Sequence, residues 1–413
     1  MAKIHNSTKL FALALGLGIG PSAMAQGLYL SAAGPINRSM GGASVAAPID
    51  SIGAIYWNPA SISGMERSEM AFGLDVLWSQ QTVGVSAPGL DVETLSTTGT
   101  VPIPNISWVY KTGIPEVTLG LGVNAVAGFK TSLPIDPNNP VTSSFSPNAP
   151  IFAQAQFFQI APVLSYAVTD KLSIGAGPTI VTGTVQVDPF VLAAPNPTGF
   201  AQGYATEYEW GGGVQCGVYY IVNDDWRVGS SFKSTQWISD FEFNTSDGNG
   251  APRVVSADID LPMIVSVGTS YAGIENWLFA MDVRYFDYEN TAGLGDRAVL
   301  TPDGLGGLDW SSVVAVSLGA QRSFGDMFAL RGGYTYNQSP IKDSEAVVNI
   351  ATPLFYEHML STGFSITPNR SLAFNAAYSH MFNNTLTTEV FPGAEFSNSM
   401  YANFLTAGIS VFY

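Results

Sequence analysis

Short polar breaks alternate with long loops along this 413-residue chain, and that asymmetry limits the possible folds more than any single residue. The breaks are Lys111-Thr112-Gly113-Ile114-Pro115-Glu116, Thr169-Asp170-Lys171, Asn223-Asp224-Asp225, Gly273-Ile274-Glu275-Asn276, Phe324-Gly325-Asp326 and Thr367-Pro368-Asn369-Arg370. An up-and-down barrel in an outer membrane has this form, because turns on one side need only reverse the strand while loops on the other are free to grow. After most breaks the sequence alternates with a period of two. Leu172, Ile174 and Ala176, or Trp226, Val228 and Ser230, fall on one face, and Lys171, Ser173 and Gly175, or Arg227, Gly229 and Ser231, on the other. The first face is assigned to lipid and the second to the lumen.

Counting these segments predicts an all-β fold, a 14-stranded antiparallel transmembrane barrel over 67–413. The strands fall near 68–80, 104–111, 116–128, 152–168, 171–187, 204–222, 225–243, 257–271, 276–288, 310–323, 327–338, 355–366, 370–383 and 400–413. The last carries the outward stripe Leu405, Ala407, Ile409, Val411 and Tyr413, ending on an aromatic residue of the kind that outer-membrane assembly machinery is taken to read. Residues 1–25 read as a secretory signal: Lys3 and Lys9, an apolar run from Leu10 to Ile19, then Ala23-Met24-Ala25. No later stretch reaches the roughly 18 apolar residues of a spanning helix. A mature chain that enters a membrane must therefore do so as a closed barrel.

Only 12% of residues are charged, with 16 Lys plus Arg against 32 Asp plus Glu, which argues against a nucleic-acid partner. Acidic loops that keep the outer face soluble explain the excess, with divalent cations bridging loop carboxylates to lipopolysaccharide as the other reading. Cys216 is the single cysteine, so no internal disulfide forms. Its place in the alternation Val214, Cys216, Val218 suits a packed or lipid-facing small residue. His358 and His380 have no partner at metal-ligand spacing, so neither a metal nor a cofactor is expected.

Residues 26–66 do not alternate like strands. They are rich in small residues, as in Met40-Gly41-Gly42-Ala43-Ser44, and this composition lets backbone pack in a confined space. They close with Asp50-Ser51-Ile52-Gly53-Ala54-Ile55-Tyr56-Trp57-Asn58-Pro59-Ala60. This stretch resembles the amino-terminal hatch of the FadL family of outer-membrane transporters for hydrophobic compounds, with Asn58, Pro59 and Ala60 as its motif. Leu330-Arg331-Gly332-Gly333-Tyr334-Thr335-Tyr336-Asn337-Gln338-Ser339-Pro340-Ile341 resembles that family's late strand running into a Ser-Pro loop. One departure is that an acidic pair before the motif is here only Asp50 followed by Ser51. The resemblance implies a barrel plugged by its own amino terminus, ligand capture among the outer loops, a binding site in the lumen, and a kink in the third strand through which cargo leaves sideways into the bilayer.

Gly120 and Gly122 on the third strand, and Pro162 and Pro178 on the fourth and fifth, locate the expected irregularity of the wall, because each proline removes a ladder donor. Phe129, Phe145, Phe190, Leu192 and Phe200 make the loops 129–151 and 188–203 apolar enough to capture a hydrophobic ligand or to pack on each other. Lys233, Asp282, Arg284 and Arg331 are inward charges. Each either bridges to the hatch or wall, or, for Lys233, Arg284 and Arg331, meets the head group of an anionic ligand. An enzyme is not expected, since no Gly-x-Ser-x-Gly elbow occurs and Ser361 falls on the opposite strand face from His358. A general aqueous porin and a structural or adhesin barrel remain as alternatives to uptake of fatty acids or hydrocarbons.

Overall fold

The computed structural model describes residues 26–193, 200–247, 250–301 and 304–413. The signal read over 1–25 lies outside the described residues. Fourteen strands form the wall: β1 (Glu69–Ala87), β2 (Thr100–Lys111), β3 (Val117–Leu133), β4 (Ile151–Ala167), β5 (Leu172–Asp188), β6 (Glu209–Ile221), β7 (Trp226–Lys233), β8 (Ile264–Tyr271), β9 (Trp277–Phe286), β10 (Val313–Phe324), β11 (Phe328–Asn337), β12 (His358–Asn369), β13 (Leu372–Phe391) and β14 (Ala394–Phe412). Each is antiparallel to its chain neighbours. β1 also pairs with β14 from Glu69 opposite Phe412 to Ser86 opposite Glu395, and this seam closes the barrel. Closure at this seam pairs strand edges that would otherwise face lipid, where an unpaired N–H costs several kcal/mol.

Several strand ends differ from the sequence expectation, each for a local reason. β7, expected to run to 243, is interrupted at Lys233, where Ser234 Oγ takes the Val214 N–H; Trp237–Ile238 pair once more with Gly211–Gly212 of β6, and the chain then leaves the wall for a hairpin, Phe241–Ser246 with Pro252–Ala257. β8 starts at Ile264 instead of 257, two residues after Pro262, which has no donor for the ladder. β13 and β14 continue to a tight turn at Pro392-Gly393, so no long loop joins them; Gly393 takes φ +80°, as the third position of a type II turn requires. Periodicity missed these ends because Thr385, Thr387, Ser397 and Ser399 alternate without being apolar.

The faces follow the alternation. Leu74, Ile174, Leu405 and Cys216 point out to lipid, while Ser173, Gly229 and Ser231 point in. Inside lies the amino-terminal segment, buried throughout 26–62 apart from partly buried Leu30, Pro48 and Ile49. It folds into α1 (Gly34–Ser39), α2 (Ser51–Trp57) and a 3-10 turn (Pro59–Gly64). Pro35 and Pro59 sit in first turns, where a missing N–H costs nothing. Asp50 caps α2 by accepting from Gly53 N.

Wall and plug fit because the wall gives up side chains where they meet. Gly73 lies opposite Gly408, Gly175 opposite Gly217, Gly229 opposite Gly268 and Gly319 opposite Gly333. A Cβ on Gly217 would stand 2.0 Å from Asn58 Oδ1, and one on Gly333 would stand 2.1 Å from Gly41 N. At these glycines the plug, backbone or short side chain, lies directly against the wall backbone.

Candidate functional site

The wall parts between β2 and β3. β2 pairs with β3 from Lys111 opposite Thr118 only as far as Asn105 opposite Asn124. Above that level residues 100–104 of β2 stay bonded to β1, while β3 bulges between Ala125 and Ala127 and follows β4. Contact resumes only where Thr97 N donates to Ser132 O at 2.7 Å. The window between has a sequence cause. Pro102 and Pro104 cannot donate toward β1, with which they are in register, so their missing N–H groups face the window. The first described residues fill the space as a short arm: Leu30 N donates to Val126 O at 2.9 Å, Gly128 N to Leu28 O at 3.1 Å, and Tyr29 stands opposite Ala127.

Behind the arm is an apolar cavity lined by Leu28, Tyr29, Leu77, Phe129, Met400 and Phe404. Its volume is 60 Å³, below the roughly 150 Å³ of a cavity that takes up benzene. Cargo can occupy it only if the arm or its neighbours shift. Tyr29 and Tyr56 separate this cavity from a water-sized cleft lined by Tyr56, Gln215, Ser231, Lys233 and Ile264. There Lys233 Nζ donates to Gln159 Oε1 at 3.1 Å and lies 5.1 Å from the Tyr56 ring, and it forms no ion pair among the described residues. Gln215 Nε2, also buried, has no acceptor.

The two arginines expected at a head group, Arg284 and Arg331, are committed elsewhere. Arg284 donates to Asp282 Oδ2 at 2.6 Å, to Gly42 O at 2.6 Å and to Ser317 Oγ at 2.9 Å, with its guanidinium 3.6 Å from the Trp57 ring. Arg331 donates to Gln321 Oε1 and Ser365 Oγ. Asp282 also accepts from Ser44 N and Val45 N, so the β9 pair grips the plug backbone. A second grip, six strands round the barrel, was not anticipated: Arg38 of α1 donates to Asp75 of β1 at 2.6 Å, both side chains being fully buried. Asn105 and Thr406 complete the Asp75 shell. The available signal was that Arg38 is the single Lys or Arg in 26–66.

Asn58 donates to Val45 O and Val218 O and accepts from Ala60 N, which joins plug to plug and plug to β6. The carboxylate missing after Asp50 is supplied from the wall, where Glu69 Oε2 accepts from Ser51 N at 2.7 Å. Gly120 and Gly122 belong to the fully paired part of β3, packed on Ile55, so the break in the wall lies above them. Pro162 and Pro178 face each other across a three-residue interruption of the β4–β5 ladder that keeps its register. Phe129 is a strand residue, not a loop residue. Phe145 ends a short helix (Pro140–Phe145) and packs on the core. Phe190 is fully buried against Phe243 of the hairpin, with Leu192 partly buried nearby and Phe200 half-buried, so the 188–203 loop packs on that hairpin. Burial reaches loop carboxyls too: it raises the pKa of Asp260, which accepts from Ile238 N.

A profile described as outer membrane protein transport protein (OMPP1/FadL/TodX) matches residues 17–401. No curated protein matches the sequence. Among solved structures, a Pseudomonas aeruginosa FadL homologue superposes with TM-score 0.71 at 14% identity, covering 93% of this chain and 99% of that one. The P. putida toluene transporter TodX gives 0.69 at 17%, with the same coverage, and the Ralstonia pickettii toluene transporter TbuX gives 0.65 at 18%, again with 93% and 99% covered. With residues 17–401 of 413 inside the profile, the chain belongs to the OMPP1/FadL/TodX family: it is an outer-membrane channel for hydrophobic compounds, not an enzyme.

Proposed function

We propose that this protein takes up long-chain fatty acids or similar amphipathic acids, capturing them among the outer loops and releasing them sideways through the window between β2 and β3. The observation that carries this reading is that unpaired stretch of wall, filled by the arm 26–30 and not by a strand. An apolar tail suits the cavity beside Leu28 and Phe129. Lys233, with the free Gln215 donor, suits a carboxylate, because a buried ammonium without a counter-ion gains most from an anionic partner. The relatives named as toluene transporters bring neutral aromatic rings as a second reading, favoured by the apolar lining of the cavity.

Binding of a fluorescent fatty acid and of toluene to the purified protein separates the two readings. Lys233→Met weakens the acid by about tenfold, the scale of one charge-assisted hydrogen bond, and leaves toluene unchanged. Equal loss for both ligands defeats the carboxylate assignment. Rapid sugar entry into liposomes carrying the protein would instead favour an aqueous porin.

A further inference from the structure

Above the apolar band, the outward face of β13, β14 and β1 changes chemistry at one level across all three strands. Below it lie Val76, Leu405 and Tyr378, in register. Next come Trp78, Asn403 and His380, then Gln80 opposite Tyr401, then Thr82, Ser399 and Thr385, then Gly84, Ser397 and Thr387. From Val411 the change comes after about ten residues, the length that crosses an apolar band of about 25 Å at a barrel tilt. The hydroxyl rows therefore begin where the outer leaflet ends, and they continue the lipid-facing surface of the same strands. The face carries no Lys or Arg; its carboxylates are Glu389 and Glu395 at the tip, with Glu93 beside Gly84 on the strand Leu90–Leu95 that pairs with β1 and Asp343 accepting from Thr387 N at one edge. At its foot Asn403 Oδ1 accepts from Tyr378 Oη at 2.7 Å and is 2.8 Å from His380 Nδ1, and higher up Thr385 and Ser399 share a hydrogen bond of 2.8 Å.

We infer that this face docks the sugars of an outer-leaflet glycolipid whose acyl chains lie on the wall below. Aromatic rings at the foot, here Trp78, Tyr401 and Phe382, offer their faces to sugar C–H groups, and the rows of hydroxyls and amides above both donate and accept, as sugar hydroxyls require. A phosphate would call for cations, and the face has no Lys or Arg. Continuity with the lipid-facing wall fixes the partner as a membrane component and not a soluble one.

The test uses the full chain in nanodiscs of phosphatidylethanolamine with either lipopolysaccharide bearing its core sugars or the same lipid stripped of them. Bound copies are counted by native mass spectrometry. The core-bearing lipid is expected to be retained about tenfold better than the stripped one, and the triple variant Thr82→Val, Thr385→Val, Ser399→Ala to abolish that preference. Equal retention of both lipids by the unaltered protein, or an undiminished preference in the triple variant, overturns the inference. Ser397→Ala with Thr387→Val provides a second, independent pair, and heat-dependent gel mobility certifies that each variant is folded.

Discussion

The wall at the β1–β14 seam and the wall at β2–β3 are built from the same alternating sequence, yet one is paired from Glu69 to Ser86 while the other parts above Asn105. β1 takes part in both, since it holds β14 on one side and β2 on the other. The difference lies in which donors the second interface can offer. Pro102 and Pro104 remove two, and the bulge at Val126 moves the partner away. The arm then supplies what β2 does not, giving Val126 O a donor and Gly128 N an acceptor. The β3 side of the window is therefore paired by a short non-wall segment, whereas the seam is paired by a strand along its length.

The strongest way to break this comparison is to fix the arm. In Tyr29→Cys with Ala127→Cys the two residues stand opposite each other, close enough for a disulfide. Oxidation should abolish uptake of labelled fatty acid into cells and reductant should restore it. The same lock across the seam, Phe72→Cys with Ile409→Cys, should leave uptake unchanged. If both locks block uptake, or neither does, the window is not the exit.

Next in size is the grip on the rest of the plug. Arg38→Met leaves Asp75 buried without its counter-ion, and unfolding in urea should report a loss of ~3–5 kcal/mol. A change below about 1 kcal/mol would mean that the plug is not fastened there. Replacing both Pro102 and Pro104 by valine returns two donors to the window edge, so β2 competes with the arm for β3. Uptake should fall by about tenfold, a shift of roughly 1.4 kcal/mol in that competition, with slower hydrogen exchange at residues 100–104. Faster uptake would reverse the assigned role of the prolines. The smallest effect compares two glycines. Gly217→Ala meets Asn58 and should cost ~1–3 kcal/mol, whereas Gly332→Ala, with only Ser361 O at 4.0 Å, should change stability by less than about 0.5 kcal/mol. Thermal unfolding of the two variants side by side checks this.

Much of this architecture was readable from the chain. The tight turns, the two faces of each strand and the plug composition rest on residues near one another in sequence, such as Thr169-Asp170-Lys171 beside Leu172, Ile174 and Ala176. The family motif added the plug's location. An irregularity was expected somewhere across strands three to five, marked by Gly120, Gly122, Pro162 and Pro178; the bulge lies on the third strand between Ala125 and Ala127, while glycine at 120 and 122 makes room for Ile55 and the two prolines face each other in register. Pro102 and Pro104 carried the better signal, since proline at alternate positions in a strand marks a side that cannot pair. Whether the apolar loops capture ligand or pack on each other stayed undecided in the sequence because burial between loops leaves no periodic trace, and Phe190 packs on Phe243, more than fifty residues away.

By itself the sequence determined that the chain is a lipid-facing barrel with small residues left over to fill it. A period of two is a local property, and a membrane admits no other closed arrangement of such strands. Only the tertiary structure decided which segment completes the wall, which charges grip the plug and which remains free. Tyr29 with Ala127, Arg38 with Asp75, and Gly42 with Arg284 are pairs far apart in the chain, and each is set by the space the closed barrel leaves rather than by any pattern along it.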